Sequence, residues 1–247
     1  LPSNDEALRR GTYLFNKVVC ELHERNIEFD VISESLVLSC SARENGEFGT
    51  ADRIRKGNYE TLIVPYARLI PKSVLVFIER LAVKKGKVVF IEEGPQGGLD
   101  EGTTSAFTQR MQKLLSSKRA SVRTIPANQI GPTFDAWEPC MKVMENDRPC
   151  TDVRAMRGLG ERCEVYMLHN TSSKNDHFVT VSMPHHRHIV AIDCEKGEVH
   201  EISDVRKQDE LSVLQLNFSP YQTYLLAASS TKVAPPQKNK NRKHQVN

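Results

Sequence analysis

The 247-residue sequence has no apolar run near the length of about 20 residues that a membrane-spanning helix needs, and no signal peptide opens it. We therefore expect a soluble protein with no membrane partner, located in the cytoplasm. Because the first residue is Leu1 and not Met, we also expect the chain to be an excised piece of a longer protein. Targeting information could then have been lost with the missing part.

The sequence also lacks the cysteine patterns of metal and redox sites. Its six cysteines include no CxxC pair and no zinc-ligand spacing, so we expect no metal and no cofactor. Cys20 and Cys163 lie in helical and strand patterns that favour small buried side chains. Cys140 and Cys150 could close a loop in an oxidising compartment, although a reducing cytoplasm is favoured.

A basic surface is missing from the body of the chain. The formal net charge is +3, but five Lys and Arg residues lie at positions 232–247, a segment without Asp or Glu. The rest of the chain therefore has slightly more acidic than basic residues. We expect residues 231–247 to form a basic, disordered tail and expect no nucleic-acid partner.

Two sequence motifs of catalytic and phosphate-binding sites are absent as well. Gly94, Gly97, Gly98 and Gly102 form neither GxGxxG nor a lysine-bearing P-loop, so we expect a mobile loop at 92–102. No cysteine lies on a glycine-flanked strand-to-helix elbow, which excludes a cysteine-nucleophile amidotransferase.

What the sequence does contain is organised around residues 57–94. A β-branched block at 61–64 and the apolar run at 87–91 predict two buried strands. Between them Val74, Phe77, Ile78 and Leu81 recur at helical spacing after Pro71 and before Gly86. This order predicts a right-handed βαβ unit with parallel strands.

The rest of the N-terminal half extends this α/β pattern. A capping box at Ser3 to Glu6 predicts a first helix ending near Asn26, and a short strand is expected at 29–32. A polar hairpin carrying Phe48 and Ile54, a helix capped by Thr103 or Thr104, and a strand at 121–125 follow. We expect an α/β domain with a parallel sheet over 1–130.

The pattern then changes. Four prolines and the single tryptophan occupy the segment from 126 to 149, and we expect a linker at 131–150. Short alternating runs at about ten-residue spacing follow, separated by turn formers, and they predict an all-β sandwich over 151–230.

Three segments together resemble one family. NIEFDVISESLV with the 57–94 stretch is similar to the flavodoxin-like (class I glutamine amidotransferase-like) accessory domain of bacterial β-galactosidases, called the trimerisation domain there, and of α-L-rhamnosidase-like glycoside hydrolases. EVYMLHNTSS and HIVAIDCEKGEV resemble strands of the β-sandwich that follows it. The family's Trp-Asp-Pro is Ile192-Asp193-Cys194 here, and the strand that normally precedes the first helix is not in the sequence.

The resemblance implies a non-catalytic C-terminal part of a bacterial glycoside hydrolase, an enzyme of carbohydrate metabolism that hydrolyses O-glycosyl bonds. Its implied partners are an upstream catalytic barrel of the same polypeptide and further copies of itself, in a homo-oligomer. The alternatives from other classes are a stand-alone carbohydrate-binding module and an enzyme that uses the glycine-rich crevice.

Candidate contact residues follow from the chemistry of sugars. Asp30, Glu34, Glu92 and Glu93 come near the carboxyl ends of predicted parallel strands, where this fold class binds ligands. We expect these four acids to be solvated side chains and not the pair of catalytic carboxylates that a glycosidase needs. Carbohydrate contact is a hypothesis for Trp137, Tyr66, Glu92 and Glu93. His185, His186 and His188 are expected to be surface histidines and not metal ligands.

Overall fold

The computed structural model describes residues 4–50, 59–116, 121–160, 163–186, 188–193, 198–202 and 204–230. The chain divides into two compact units, Leu1–Pro139 and Cys140–Asn247. The expected cap at Ser3, the hairpin position of Ile54 and the basic tail at 231–247 lie outside the described residues.

The helices of the first unit alternate with short strands. They are α1 (Asn4–Glu24), α2 (Glu34–Ser39), α3 (Lys72–Val83), α4 (Ser105–Ser116), a 3-10 turn (Ala127–Gln129) and α5 (Ile130–Phe134). The strands are β1 (Cys40–Ala42), β2 (Phe48–Thr50), β3 (Thr61–Val64), β4 (Leu69–Ile70), β5 (Lys87–Ile91), β6 (Gly97–Gly98) and β7 (Ser121–Ile125).

The predicted βαβ unit is confirmed. Strand β3 pairs with β5 in parallel, β5 pairs with β7 in parallel, and α3 lies between the first two strands in sequence. Val88 and Phe90 pack into one core cluster, whereas Val89 and Ile91 pack into another. Because successive side chains of a strand point to opposite faces, β5 is buried on both sides, as its unbroken apolar run predicts.

The strand expected at 29–32 is not formed. Residues 27–33 have no regular secondary structure, and the described sheets place no strand beside them. A β-strand needs a neighbour to accept its backbone hydrogen bonds, so the alternating side chains of Phe29 to Ile32 are not sufficient. Within the described residues the parallel sheet has the order β3-β5-β7.

Gly86 follows the end of helix α3, and a glycine is needed there for a steric reason. The left-handed residue is Lys85, with φ 65°, and not the glycine after it. A Cβ at Gly86 would lie 2.2 Å from Cδ1 of Leu81 and 2.8 Å from the carbonyl oxygen of Gly46. The glycine therefore makes room for a close approach of side chain and backbone.

The second unit consists of strands. They are β8 (Lys142–Glu145), β9 (Arg148–Pro149), β10 (Val153–Leu159), β11 (Glu164–Asn170), β12 (His177–Pro184), β13 (His188–Asp193), β14 (Glu198–Glu201), β15 (Arg206–Gln208), β16 (Leu211–Phe218) and β17 (Thr223–Ser229). They form two antiparallel sheets in the described residues, with orders β10-β11-β17-β13-β14 and β15-β16-β12-β8-β9.

Both sheets contribute to one core. Tyr166 and Leu226 come from the first sheet and Val181 and Leu214 from the second, and each is at most 1% exposed in the same apolar cluster. Alternating strands predict such a face-to-face arrangement.

The segment expected as a linker, 131–150, has regular structure. It contains most of α5, then β8 and β9, which are joined by a tight turn in which Asn146 and Asp147 both have positive φ. Asn and Asp tolerate this conformation, and two such residues make the two-residue turn that matches the twist of a hairpin. Proline content alone did not reveal the hairpin.

The cysteines that the structure describes are not joined in disulfides. Cys140 and Cys150 form no disulfide, and Cys20 is exposed although its helical pattern favours burial. None of the described helices combines the length and the apolarity that crossing a membrane requires.

Candidate functional site

The carboxyl edge of the parallel sheet brings together three of the four predicted contact residues. Glu92 and Glu93 directly follow β5, and Tyr66 follows β3. Arg10 of α1 joins them. Its Nε donates to Oε2 of Glu92 at 2.5 Å, and its guanidinium carbon lies 5.9 Å from the centre of the Tyr66 ring. We call Arg10, Tyr66, Glu92 and Glu93 the edge cluster.

Glu92 holds a defined position in this cluster. Its backbone has φ 66°, and its N–H donates to the carbonyl oxygen of Ile125 at 2.6 Å. The bond to the Glu92 carboxylate, and the charge of that carboxylate, raise the pKa of the Arg10 guanidinium above its ordinary value. Glu93 is exposed and accepts a bond from the side chain of Gln96 at 3.0 Å. Both carboxylates are therefore already engaged as acceptors.

Trp137 lies against the core beneath α1 and not in open solvent. Its ring is 4.6 Å from that of Phe134, centre to centre, with an angle of 41° between the planes. It is half-buried and packs, like Tyr66, against the apolar cluster that contains Leu14 and Ile91. The packing of both rings restricts the faces that they could offer to a sugar.

Of the other two acids considered from the sequence, Asp30 accepts a bond from the hydroxyl of Tyr59 at 2.5 Å. Glu34 begins helix α2 after the capping residue Ser33. Neither is a member of the edge cluster.

The glycine-rich loop does not offer a phosphate cradle. The N–H of Gly97 donates to the carbonyl of Arg68, and Gly98 and Gly102 donate to each other's carbonyl oxygens. A phosphate cradle needs backbone N–H groups that point at the ligand, and these three are already used within the chain. Thr104 caps α4 by accepting a bond from the Phe107 N–H at 3.2 Å.

The histidines of the PHHRH segment are more buried than the sequence indicates. His185 Nδ1 lies 3.1 Å from the Ser212 hydroxyl, and His186 Nε2 lies 3.5 Å from the Glu164 carboxylate. His188 is partly buried as well. All three are therefore partly buried in the second unit and not fully exposed at its surface.

The second unit contains a cluster of mixed ligand types that the sequence does not predict. Glu145 ends β8, Cys150 follows β9 and His177 begins β12, and one ligand atom of each lies within 4.8 Å of the other two. His177 Nδ1 is 2.9 Å from Glu145 Oε2 and 3.7 Å from Cys150 Sγ. The residues line an open pocket of about 450 Å³. The spacing of 145, 150 and 177 resembles no metal motif, which is why only the pairing of β8 with β12 reveals it.

A Cys beside a His and an acid also suggests nucleophilic catalysis, but the electrostatics oppose it. Burial is the largest cause that raises the pKa of the Cys150 thiol, and the nearby carboxylates of Glu145 and Asp152 raise it further. A nucleophilic cysteine needs the opposite, a thiol whose pKa is lowered. Cys150 is therefore unsuited to act as a nucleophile in this environment.

Comparison by sequence gives no match, either to a family profile or to a curated protein. Comparison of folds does. A rhamnosidase from Novosphingobium sp. PP1Y aligns over 81% of this chain and 19% of its own, with TM-score 0.62 and 14% identity. A catalytic mutant of Gan42B, a GH42 beta-galactosidase from G. stearothermophilus, aligns over 89% of this chain and 36% of its own, with TM-score 0.57 and 11% identity.

A third similar structure is alpha-L-fucosidase isoenzyme 2 from Paenibacillus thiaminolyticus, which aligns over 89% of this chain and 45% of its own, with TM-score 0.51 and 10% identity. The chain thus spans less than half the length of each of these three structures. At sequence identities this low, the comparison shows a shared fold and nothing more. All three are glycoside hydrolases by name.

Proposed function

We propose that this chain is a non-catalytic accessory region of a bacterial glycoside hydrolase, made of a flavodoxin-like unit and a β-sandwich. The observation that carries the proposal is the coverage of the fold comparison. Most of this chain aligns with 19% of a rhamnosidase and 36% of a beta-galactosidase, so each of those enzymes has a large part to which nothing here corresponds. The proposed partner is an upstream catalytic barrel of the same polypeptide.

The chemistry of the edge cluster supports a non-catalytic role. A glycosidase needs two carboxyl groups on opposite sides of a bond, about 5 to 9.5 Å apart, and one must donate a proton. Glu92 is bound by the Arg10 guanidinium, and Glu93 is adjacent in sequence, exposed and bonded to Gln96. Neither lies in the apolar pocket that keeps a carboxylic acid protonated.

The proposed action is to bury surface against the barrel and against further copies of the chain. On the outer face of the sandwich Met156 of β10 is 50% exposed and lies opposite Met167 of β11, which is 40% exposed. Strand β10 is at the edge of its sheet, where unpaired backbone groups favour pairing with another strand. We propose that this face meets the same face of a second copy.

Light scattering on the purified chain tests the oligomer. We expect a mass of at least twice the 27.9 kDa of one chain. Met156→Lys places a charge on the proposed contact and should shift the mass to the monomer, whereas Val83→Lys, at an 83%-exposed site in the other unit, should not. A monomer at all concentrations, or an oligomer that Met156→Lys leaves unchanged, contradicts this part of the proposal.

The second candidate is a carbohydrate-binding module, which the edge cluster favours. A half-buried Tyr66 ring lies beside Arg10, which binds Glu92, and an aromatic ring with hydrogen-bonding side chains is the usual composition of a sugar subsite. Titration calorimetry with galactose and rhamnose tests it. Saturable binding that Tyr66→Ala or Trp137→Ala abolishes, and that Tyr13→Ala at an exposed site preserves, would favour this candidate over the first.

A further inference from the structure

His177 is a buried imidazole with an acid near each nitrogen. Its side chain is 9% exposed, Nδ1 lies 2.9 Å from Glu145 Oε2, and Nε2 lies 3.2 Å from Asp152 Oδ2. Nε2 nevertheless makes no hydrogen bond. In either neutral tautomer, the ring nitrogen without the proton directs its lone pair at a carboxylate, which is unfavourable. A cation bound at that nitrogen would remove this repulsion.

The structure assigns a divalent transition-metal ion to the space between Glu145, Cys150 and His177, and we propose that these three side chains bind Zn²⁺ there. In this site Nδ1 of His177 binds the metal, and the proton moves to Nε2, where it faces Asp152. A histidine ligand commonly donates its second N–H to a carboxylate, which fixes the tautomer and the ring. The thiol of Cys150 releases its proton to solvent as the zinc–sulfur bond forms.

The distances suit zinc with small adjustments. A tetrahedral zinc with ordinary bond lengths separates its nitrogen and sulfur ligands by about 3.6 Å and its nitrogen and oxygen ligands by about 3.4 Å. The corresponding separations are 3.7 Å for His177 and Cys150, and 2.9 Å for His177 and Glu145. The carboxylate therefore has to retreat by about half an ångström, within the freedom of a glutamate side chain. A set of sulfur, nitrogen and oxygen ligands favours zinc over magnesium or calcium.

The surrounding backbone already holds the ligands. Oε1 of Glu145 accepts the Phe178 N–H at 3.1 Å, and the Cys150 N–H donates to the Val143 carbonyl at 3.0 Å. The carbonyl of Asp152 accepts two bonds from Thr171, which fixes the chain beside the second nitrogen of His177. Three protein ligands leave the fourth position to water from the open pocket.

The inferred role is structural and goes beyond the proposed accessory function. Glu145 and Cys150 belong to the β8–β9 hairpin, and His177 begins β12. A metal bound to all three would fasten this edge hairpin to its neighbour. The alternative is that the cluster binds no metal and that His177 only makes its hydrogen bond with Glu145.

Cobalt substitution tests the inference on the purified chain. Stripped of metal and titrated with Co²⁺, the chain should develop a thiolate-to-cobalt charge-transfer band in the near ultraviolet and the intense visible bands of four-coordinate cobalt. One equivalent of Zn²⁺ should remove both. Cys150→Ser should abolish the charge-transfer band, whereas Cys140→Ser, a partly buried cysteine beside the same core, should keep it.

A second variant allows the test to be made even if Cys150→Ser alters folding. Asp152→Asn leaves all three ligands in place and should weaken Zn²⁺ binding by about 10- to 100-fold, because the second nitrogen of His177 loses its carboxylate. The inference is overturned if the folded chain gives no charge-transfer band. A band of equal intensity in Cys150→Ser, or Zn²⁺ affinity that Asp152→Asn leaves unchanged, overturns it as well.

Discussion

Gly86 provides a quantitative test of the packing around α3. Its missing side chain leaves space for Leu81, which is fully buried, and for the backbone at Gly46. In Gly86→Ala the new methyl would lie 2.2 Å from Cδ1 and 2.4 Å from Cγ of Leu81, closer than carbon atoms approach without displacement. Leu81 must then move within a filled core, or the 46 and 86 backbones must separate.

The expected cost is that of overpacking, about 1 to 3 kcal/mol. For a urea dependence of about 2 kcal/mol per molar, a loss of 2 kcal/mol lowers the unfolding midpoint by about 1 M. Trp137 is the single tryptophan and belongs to the first unit, so its fluorescence follows the unfolding of the unit that carries the substitution.

Gly11→Ala is the matched control. Gly11 lies in α1, and a Cβ there would meet only Cδ1 of Tyr66, at an ordinary 3.7 Å. Alanine is favoured over glycine inside a helix, so this variant should gain about 0.5 to 1 kcal/mol. The reasoning is refuted if Gly86→Ala unfolds at the wild-type midpoint, or if both substitutions shift the midpoint in the same direction.

Three further outcomes are expected. Burial raises the pKa of the Cys40 thiol, so the folded state holds a proton that the unfolded state releases above about pH 8.5. The free energy of unfolding should therefore fall as pH rises beyond that value; alkaline urea titrations check this, and a rise in stability would contradict it. Arg110 makes two hydrogen bonds with the Glu79 carboxylate, at 2.8 and 2.7 Å, and Arg110→Lys would leave a single contact. The substitution should lower the free energy of unfolding by about 0.5 to 1 kcal/mol, and by less in high salt. An effect that does not depend on salt would exclude the ion pair as its cause. Thr104→Ala removes the cap of α4 and should cost about 1 kcal/mol, whereas Thr104→Ser should cost little, as urea midpoints can show.

The sequence predicts best those features that depend on neighbouring residues. The apolar runs at 61–64 and 87–91 and the helical spacing of Val74 to Leu81 specify local structure, and β3, α3 and β5 follow within one or two residues. Alternating runs predict six strands of the sandwich for the same reason, but they do not predict β8, β9, β10 or β15. Strand formation at 29–32 depends instead on a partner, which no local pattern contains.

The candidate sites show the same division. Glu92 and Glu93 could be predicted at the carboxyl ends of parallel strands, but Arg10 reaches Glu92 and Tyr66 from a helix that the sequence does not orient. Glu145, Cys150 and His177 come together through the hairpin turn at Asn146 and Asp147 and the pairing of β8 with β12. That register is a property of the folded sheet, so ligand spacing in the sequence could not reveal the cluster.

The proposal that these residues serve as scaffolding for catalysis elsewhere is tested most directly by sugar hydrolysis. The purified chain, incubated with aryl β-galactoside and aryl α-L-rhamnoside, is expected to release no product above the uncatalysed rate, and Glu92→Gln and Glu93→Gln should behave identically to it. Steady release of the aryl alcohol by the wild-type chain, lost in Glu92→Gln while the variant remains folded, would contradict the account.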